Sequence, residues 1–264
     1  MNAVSPPRRR RSPAAGRRGA AALALALLAA WELYARAGGV DELILPAPTA
    51  IADAGWTDRS LLWDNFVVTA AEVGLGIAVS AVAAFALAVG LHFSRTARGA
   101  VFPLLVASQA VPIVVVAPLL VVWWGFGLGP KLAIVALVCF FPIVVTTLDA
   151  LRRVDPEELK LLRTLDATRW QAFRFAEAPA ALPAALSGAK IAVAVAVIGA
   201  VFAEYAGSSE GLGHLILQSL PQLEIARAWA AVALLAAFAV ALFYALHLAE
   251  RRIAPWAHRS GGPS

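Results

Sequence analysis

Apolar residues along this chain fall in long unbroken runs, not in the alternating or three-four spacing of an amphipathic element. Six runs, near 19–36, 66–92, 101–124, 131–148, 187–206 and 227–248, are long enough to carry a helix across about 30 Å of hydrocarbon at about 1.5 Å per residue. Every face of such a run is apolar, so periodicity is silent inside it and length decides for helix over strand. The second run carries Gly74, Gly76 and Gly90, and its length predicts a tilt or a start ahead of the bilayer. The third holds Ser108-Gln109, then Pro112 and Pro118. Proline has no N–H and frees a carbonyl that lipid cannot satisfy. That stretch is therefore expected either to kink against neighbouring helices or to line a water-filled pathway.

One polar stretch, 149–186, is patterned instead of merely solvated. Asp155-Pro156-Glu157-Glu158 supplies an N-cap, a proline at the first helical position and acids in the first turn. Leu159, Leu162 and Leu165 follow, and the pattern breaks at Asp166-Ala167. Thr168 with Gln171 three residues later has capping-box form, and Trp170 and Phe173 give the second helix an apolar side. Two short capped helices joined by a tight turn are predicted, closed by Pro179 and Pro183. Trp170, Phe173 and Phe175 are costly to leave in water, at roughly 1.5–3 kcal/mol each for full burial. A partner surface, or the ends of the spans, is expected to cover them.

Composition agrees with lipid as the solvent: 61% of the 264 residues are apolar and 15% charged, against about 25% charged in soluble domains. Disorder, collagen and basic nucleic-acid modules are excluded. The single cysteine, Cys139, rules out an internal disulfide or a Cys-rich metal site. His92, His214, His247 and His258 lie in four separate segments, so no metal site is expected, and no cofactor is implied. There is no P-loop; Gly125-Phe126-Gly127-Leu128-Gly129 reads as a turn. The pI near 10.0 comes from Arg8, Arg9, Arg10, Arg11, Arg17 and Arg18; the rest of the chain has 16 basic and 17 acidic residues. Of the 22 cations, 17 fall on one side of the six-run topology, in the N-terminal tail, the 93–100 and 149–186 loops and the C-terminus. The positive-inside rule then puts both termini in the cytoplasm. The first run with Ala35-Arg36-Ala37 also resembles a cleaved signal peptide, but Trp31 and Tyr34 suit a retained span.

Four fragments carry a resemblance. VDPEELKLLRTLDATRWQAFRFAEAPAALPAALSGAKI (154–191) resembles the cytoplasmic "EAA" loop of ABC importer permeases. ILPAPTAI (44–51) looks like the Leu-Pro-x-Pro element of the nitrate/sulfonate/taurine permease group. VPIVVVAPLLVVWWGFGLGPK (111–131) and FFPIVVTTLDALRRVDPE (140–157) are similar to its third and fourth spans, and AEYAGSSEGLGHLI (203–216) is similar to the stretch that follows its fifth span. The order matches over nearly the whole chain after residue 40. Lys160-Leu161-Leu162 stands where the family has Glu-Ala-Ala, and Asp166 where it has glycine; aspartate tolerates left-handed backbone better than most residues. The wording around 161–191 looks most like the subgroup for thiamine pyrimidine precursors or riboflavin.

The resemblance implies an all-α, six-span permease of the type I importer fold, with no catalysis of its own. ATP hydrolysis would lie on a separate ATPase dimer, recognition on an extracytoplasmic solute-binding protein, and the permease would be a homodimer in the cell membrane. The apolar runs and charges divide the chain into a basic tail (1–18), a first span (19–36), an outer loop (37–65), a core of five spans with the coupling loop (66–248) and a C-terminal tail (249–264). ATPase coupling would fall on Lys160, Asp166, Ala167, Thr168, Arg169 and Trp170. Ser108, Gln109, Pro112 and Glu204 are the candidates for the solute pathway, although interfacial solvation explains Glu204 equally well. A stand-alone carrier or channel fits the composition but has no need of a capped cytoplasmic helix pair. An intramembrane enzyme needs paired groups at depth, and the acids within spans, Glu32, Glu72 and Glu204, are not expected to be paired.

Overall fold

The computed structural model describes residues 13–38 and 41–258. The arginines of 8–11 and Arg259, counted above for orientation, lie outside the described residues. The chain forms α1 (Pro13–Ala37), α2 (Pro48–Thr57), α3 (Arg59–Phe93), α4 (Arg95–Ser108), α5 (Ile113–Trp124), α6 (Leu128–Arg152), α7 (Pro156–Thr164) and α8 (Arg169–Ala172). A π turn, Phe173–Glu177, runs directly into α9 (Ala178–Gly207), followed by α10 (Leu212–Ser219) and α11 (Ile225–Ile253). There is no strand among the described residues.

Four helices among the described residues are long and apolar enough to cross a membrane: α3, α6, the continuous Arg169–Gly207 helix and α11. The α4–α5 pair makes a fifth if it is one span. The first run falls on α1, part of which lies outside the residues whose side chains are described. α6 sits between α3 and α9, burying Val135, Cys139, Ile143 and Val144 against Val73 and Ala84 of α3 and Ala192, Ala196 and Ala200 of α9, and Ile134 against Ala117 and Leu120 of α5 and Ala203 of α9. Small residues permit this close approach: Gly76 of α3 meets Val135, and Gly199 of α9 meets Val138. α11 packs its Ala228, Ala231 and Leu235 on Leu215 and Ile216 of α10, and Arg227 Nε donates to Asp58 at the head of α3 (2.6 Å). α1 is held by the Trp31–Trp229 edge contact (5.5 Å between centroids) and by Glu32, which accepts from the Thr49 amide and hydroxyl (3.1 and 2.8 Å) and from Arg36. Large apolar side chains such as Val82 and Val122 face outward, as lipid-facing positions do.

Three expectations are corrected. The run at 101–124 is not one helix: α4 and α5 meet at 99° across residues 109–112. Pro112 contributes no N–H and pushes Val111 out of the helical region, so the helix stops there, whereas Pro103 and Pro118 are absorbed inside α4 and α5. The segment read as the outer loop 37–65 is largely helical: α2 lies within it, and α3 starts at Arg59, ahead of the apolar run near 66, in keeping with the early start that its length predicts. Pro179 and Pro183 do not close the helix pair. The wide π turn just ahead relieves the clash between a proline ring and the carbonyl four residues back, and one helix continues from Arg169 to Gly207.

Candidate functional site

The α7–α8 unit is built from local signals that all close. Asp155 accepts from the Glu157 amide (2.8 Å) to start α7. The helix ends in a Schellman arrangement: Ala167 N–H donates to the Leu162 carbonyl and Asp166 N–H to that of Arg163, both at 3.1 Å. Asp166 occupies the left-handed position, at φ 55°, that glycine normally fills. Thr168 and Gln171 form the expected capping box. Lys160 is exposed and donates to Glu157 one turn back (2.6 Å).

The aromatic side of the unit is only half covered. Phe173 is buried against Phe93 at the end of α3 (5.2 Å) and beside His92, whose Nε2 lies 2.8 Å from Glu177 Oε2. Arg169 donates to the Phe93 carbonyl (3.3 Å) with its guanidinium over the Phe93 ring. Trp170 stacks on Phe173 at 5.3 Å yet stays 58% exposed, and Phe175 is 68% exposed.

At the break between α4 and α5, Ser108 Oγ donates to the Leu105 carbonyl (2.7 Å), Gln109 lies beside it, and Pro112 opens α5. Residues 106–112 are all exposed in the single chain. No hydrogen bond or ion pair joins this break to Glu204 among the described residues.

Glu204 is not solvated at an interface, as one expectation had it; it is 1% exposed. Its carboxylate accepts from Thr69 Oγ1 (2.6 Å) and from the Gly213 amide (2.5 Å). Asn65 and Thr69 of α3 accept from the Gly211 and Leu212 amides (2.7 and 2.8 Å), so three successive N–H groups opening α10 are held by side chains from α3 and α9. Gly211, at φ 109°, and Gly213 are obligatory here: a Cβ on Gly213 would stand 2.7 Å from Glu204 Oε2 and 3.0 Å from Val201. Glu72, also expected to be unpaired, accepts from Lys131 Nζ (2.7 Å), which donates as well to Ser208 Oγ (2.5 Å). At the other end of the bundle Lys190 donates to Glu250 (2.6 Å). These partners were missed because they are remote in sequence; the usable signal was that a charge inside an apolar run demands a partner.

Residues 76–256 match the family of binding-protein-dependent transport system inner membrane components. The chain belongs to that family. It is a permease subunit of an ABC importer, a multi-pass inner-membrane protein whose ATPase is a separate subunit. The permease is 34% identical over 233 residues to the formylaminopyrimidine transport permease protein ThiX of Halalkalibacterium halodurans, covering 88% of this chain and 93% of that one. It is 33% identical over 232 residues to the riboflavin transport system permease protein RibX of Chloroflexus aurantiacus, covering 87% of each. A crystal structure of an amino acid ABC transporter with histidines shares the fold, with a TM-score of 0.58 over 75% of this permease and 95% of that chain at 13% identity.

Proposed function

We propose that this permease moves a small nitrogen heterocycle of the formylaminopyrimidine or flavin kind into the cell, working as a homodimer. The α7–α8 unit engages the ATPase dimer, a solute-binding protein delivers the solute on the opposite side, and both termini are cytoplasmic. What supports the solute class is the greater identity to ThiX and RibX than to the taurine permease protein TauC of Escherichia coli, at 26%. The observation that carries coupling is Trp170: a large aromatic side chain, held on a fully capped turn, presents most of its surface outward. Interface anchors are of this kind. The α4–α5 break supports the pathway role of Ser108, Gln109 and Pro112, because irregular backbone at membrane depth is tolerated only against protein or water. A second copy and the pathway between the copies supply that cover, and Glu204 stands at the pathway's outer end.

The test of coupling is pull-down of the ATPase with Trp170→Ala alongside ATP-dependent uptake. Association should weaken by more than about 2 kcal/mol. Normal association with normal transport moves the coupling contact elsewhere. Orientation is read by labelling cysteines introduced at Ser60 and Ser260 in intact cells, with labelling expected at the first alone. The solute class is read from thermal stabilisation of the cognate binding protein by formylaminopyrimidine, riboflavin and taurine; stabilisation by taurine alone overturns the heterocycle assignment.

A further inference from the structure

Between the ends of α3, α4 and α6 and the α7–α8 unit lies a cavity of about 810 Å³. Five arginines from four elements line it: Arg95 and Arg98 from the first turn of α4, Arg152 from the last turn of α6, Arg163 from α7 and Arg169 from α8. The carboxylate on its wall, Glu177, faces His92. None of the five guanidiniums is ion-paired with a carboxylate among the described residues.

A topological preference for positive charge at one end of the spans explains why arginines are present there, but not why five converge on one concave surface. Arg153, adjacent in sequence, lines a different concavity. Like charges on the walls of one cavity repel, and they focus a positive potential of several kT into it. An anion relieves both. The planar fork of guanidinium donors matches phosphate oxygens in paired bonds, and several such forks around one volume suit a group with more than one ionised oxygen. The volume lies within the range of about 300–1,000 Å³ of sites that bury small organic ligands, far more than a halide ion fills.

We propose that this cavity binds a phosphate-bearing anion, whether the headgroup of an anionic phospholipid or a free phosphorylated small molecule. The phosphate joins Arg95, Arg98 and Arg152 on the spans to Arg163 and Arg169 on the helix pair, and so fixes the pair against the bundle. The inference goes beyond the transport reading and does not rest on it, because the site is complete within one copy of the chain.

The experiment uses the permease assembled with its ATPase in nanodiscs of phosphatidylcholine alone or phosphatidylcholine doped with phosphatidylglycerol. Thermal unfolding is followed with and without inorganic pyrophosphate. Three forms are compared: the natural chain, Arg98→Gln with Arg152→Gln, and a charge-matched control, Arg153→Gln with Arg174→Gln. The natural chain and the control should be stabilised by at least one probe, and the cavity variant should lose that stabilisation. Its apparent affinity should weaken by about tenfold or more for each arginine removed. Stabilisation by phosphatidylglycerol alone identifies a lipid headgroup; stabilisation by pyrophosphate in phosphatidylcholine identifies a soluble ligand. The proposal is overturned if neither probe stabilises the natural chain, if the cavity variant responds as the natural chain does, or if the control loses the response equally.

Discussion

Replacing Lys131 with methionine tests whether the polar cluster beneath α10 holds the bundle together. Lys131 Nζ lies 2.7 Å from Glu72 and 2.5 Å from Ser208, and the lysine and glutamate side chains are 9% and 2% exposed. Glu204 lies within electrostatic reach of both charges. At 2.7 Å and an effective dielectric of about 20, the gross attraction of the pair is about 6 kcal/mol. Desolvation of two ions offsets most of that, so the pair itself adds little net stability. The substitution has a different effect: methionine fills the lysine's space but leaves Glu72 buried without its cation. Breaking a buried pair in this way costs about 3–5 kcal/mol. The lower end applies here, since polar groups of a membrane protein also find partners in the unfolded state. Removing both charges, Lys131→Met with Glu72→Met, should restore stability to within about 1–2 kcal/mol of the natural chain, because no buried ion is orphaned. Reversible unfolding in mixed micelles, run as a double-mutant cycle, measures both quantities. A loss below about 1 kcal/mol for Lys131→Met, or a double variant less stable than the single one, refutes the reasoning.

Thr168→Ala should destabilise the α7–α8 unit by about 1 kcal/mol through loss of the cap, while Asp166→Gly should be neutral or slightly stabilising at φ 55°; hydrogen exchange across 155–177 reads both. Gly213→Ala should lower the melting temperature sharply, because its methyl group collides with Glu204 and Val201, while Gly74→Ala, with open space at its Cβ, should gain up to about 1 kcal/mol. Gln109→Leu should lower uptake by about tenfold, the worth of one hydrogen-bonding group at roughly 1–1.5 kcal/mol, with ATPase assembly intact. Lost assembly with unchanged uptake per complex would make the α4–α5 break a packing element.

The helix pair was legible in advance because its signals are local. Asp155, Thr168 and Gln171 act on amides two or three residues away, and Asp166 needs only its own backbone freedom. The prolines were harder. Pro112 and Pro118 sit in similar apolar surroundings, yet one ends a helix and the other lies inside one. Pro179 needed a π turn to stay helical, and nothing in its immediate neighbours announces one. The cluster around Glu204 was illegible for a third reason: Thr69 and Glu204 are 135 residues apart, and Lys131 and Glu72 are 59 apart. Each side chain alone reads as an ordinary charge or hydroxyl near the end of a run. Only the crossing of α3, α6 and α9 turns them into one set of bonds.

The helix from Arg169 to Gly207 is 39 residues long and unbroken, so it spans roughly 58 Å at about 1.5 Å per residue. Trp170 stands near one end and Glu204, clamped to the amide of Gly213, near the other. Its one departure from α geometry, the π turn at Phe173–Glu177, lies close to the Trp170 end. Under the coupling role proposed for Trp170, the helix beyond that joint is a connecting rod. A rod has no slack to take up, so its two ends start and stop together. A push that crosses the joint from Trp170 should reach the grip on Gly213 within the same kinetic step, and probes placed at Ala178 and Gly207 should report one shared rate constant.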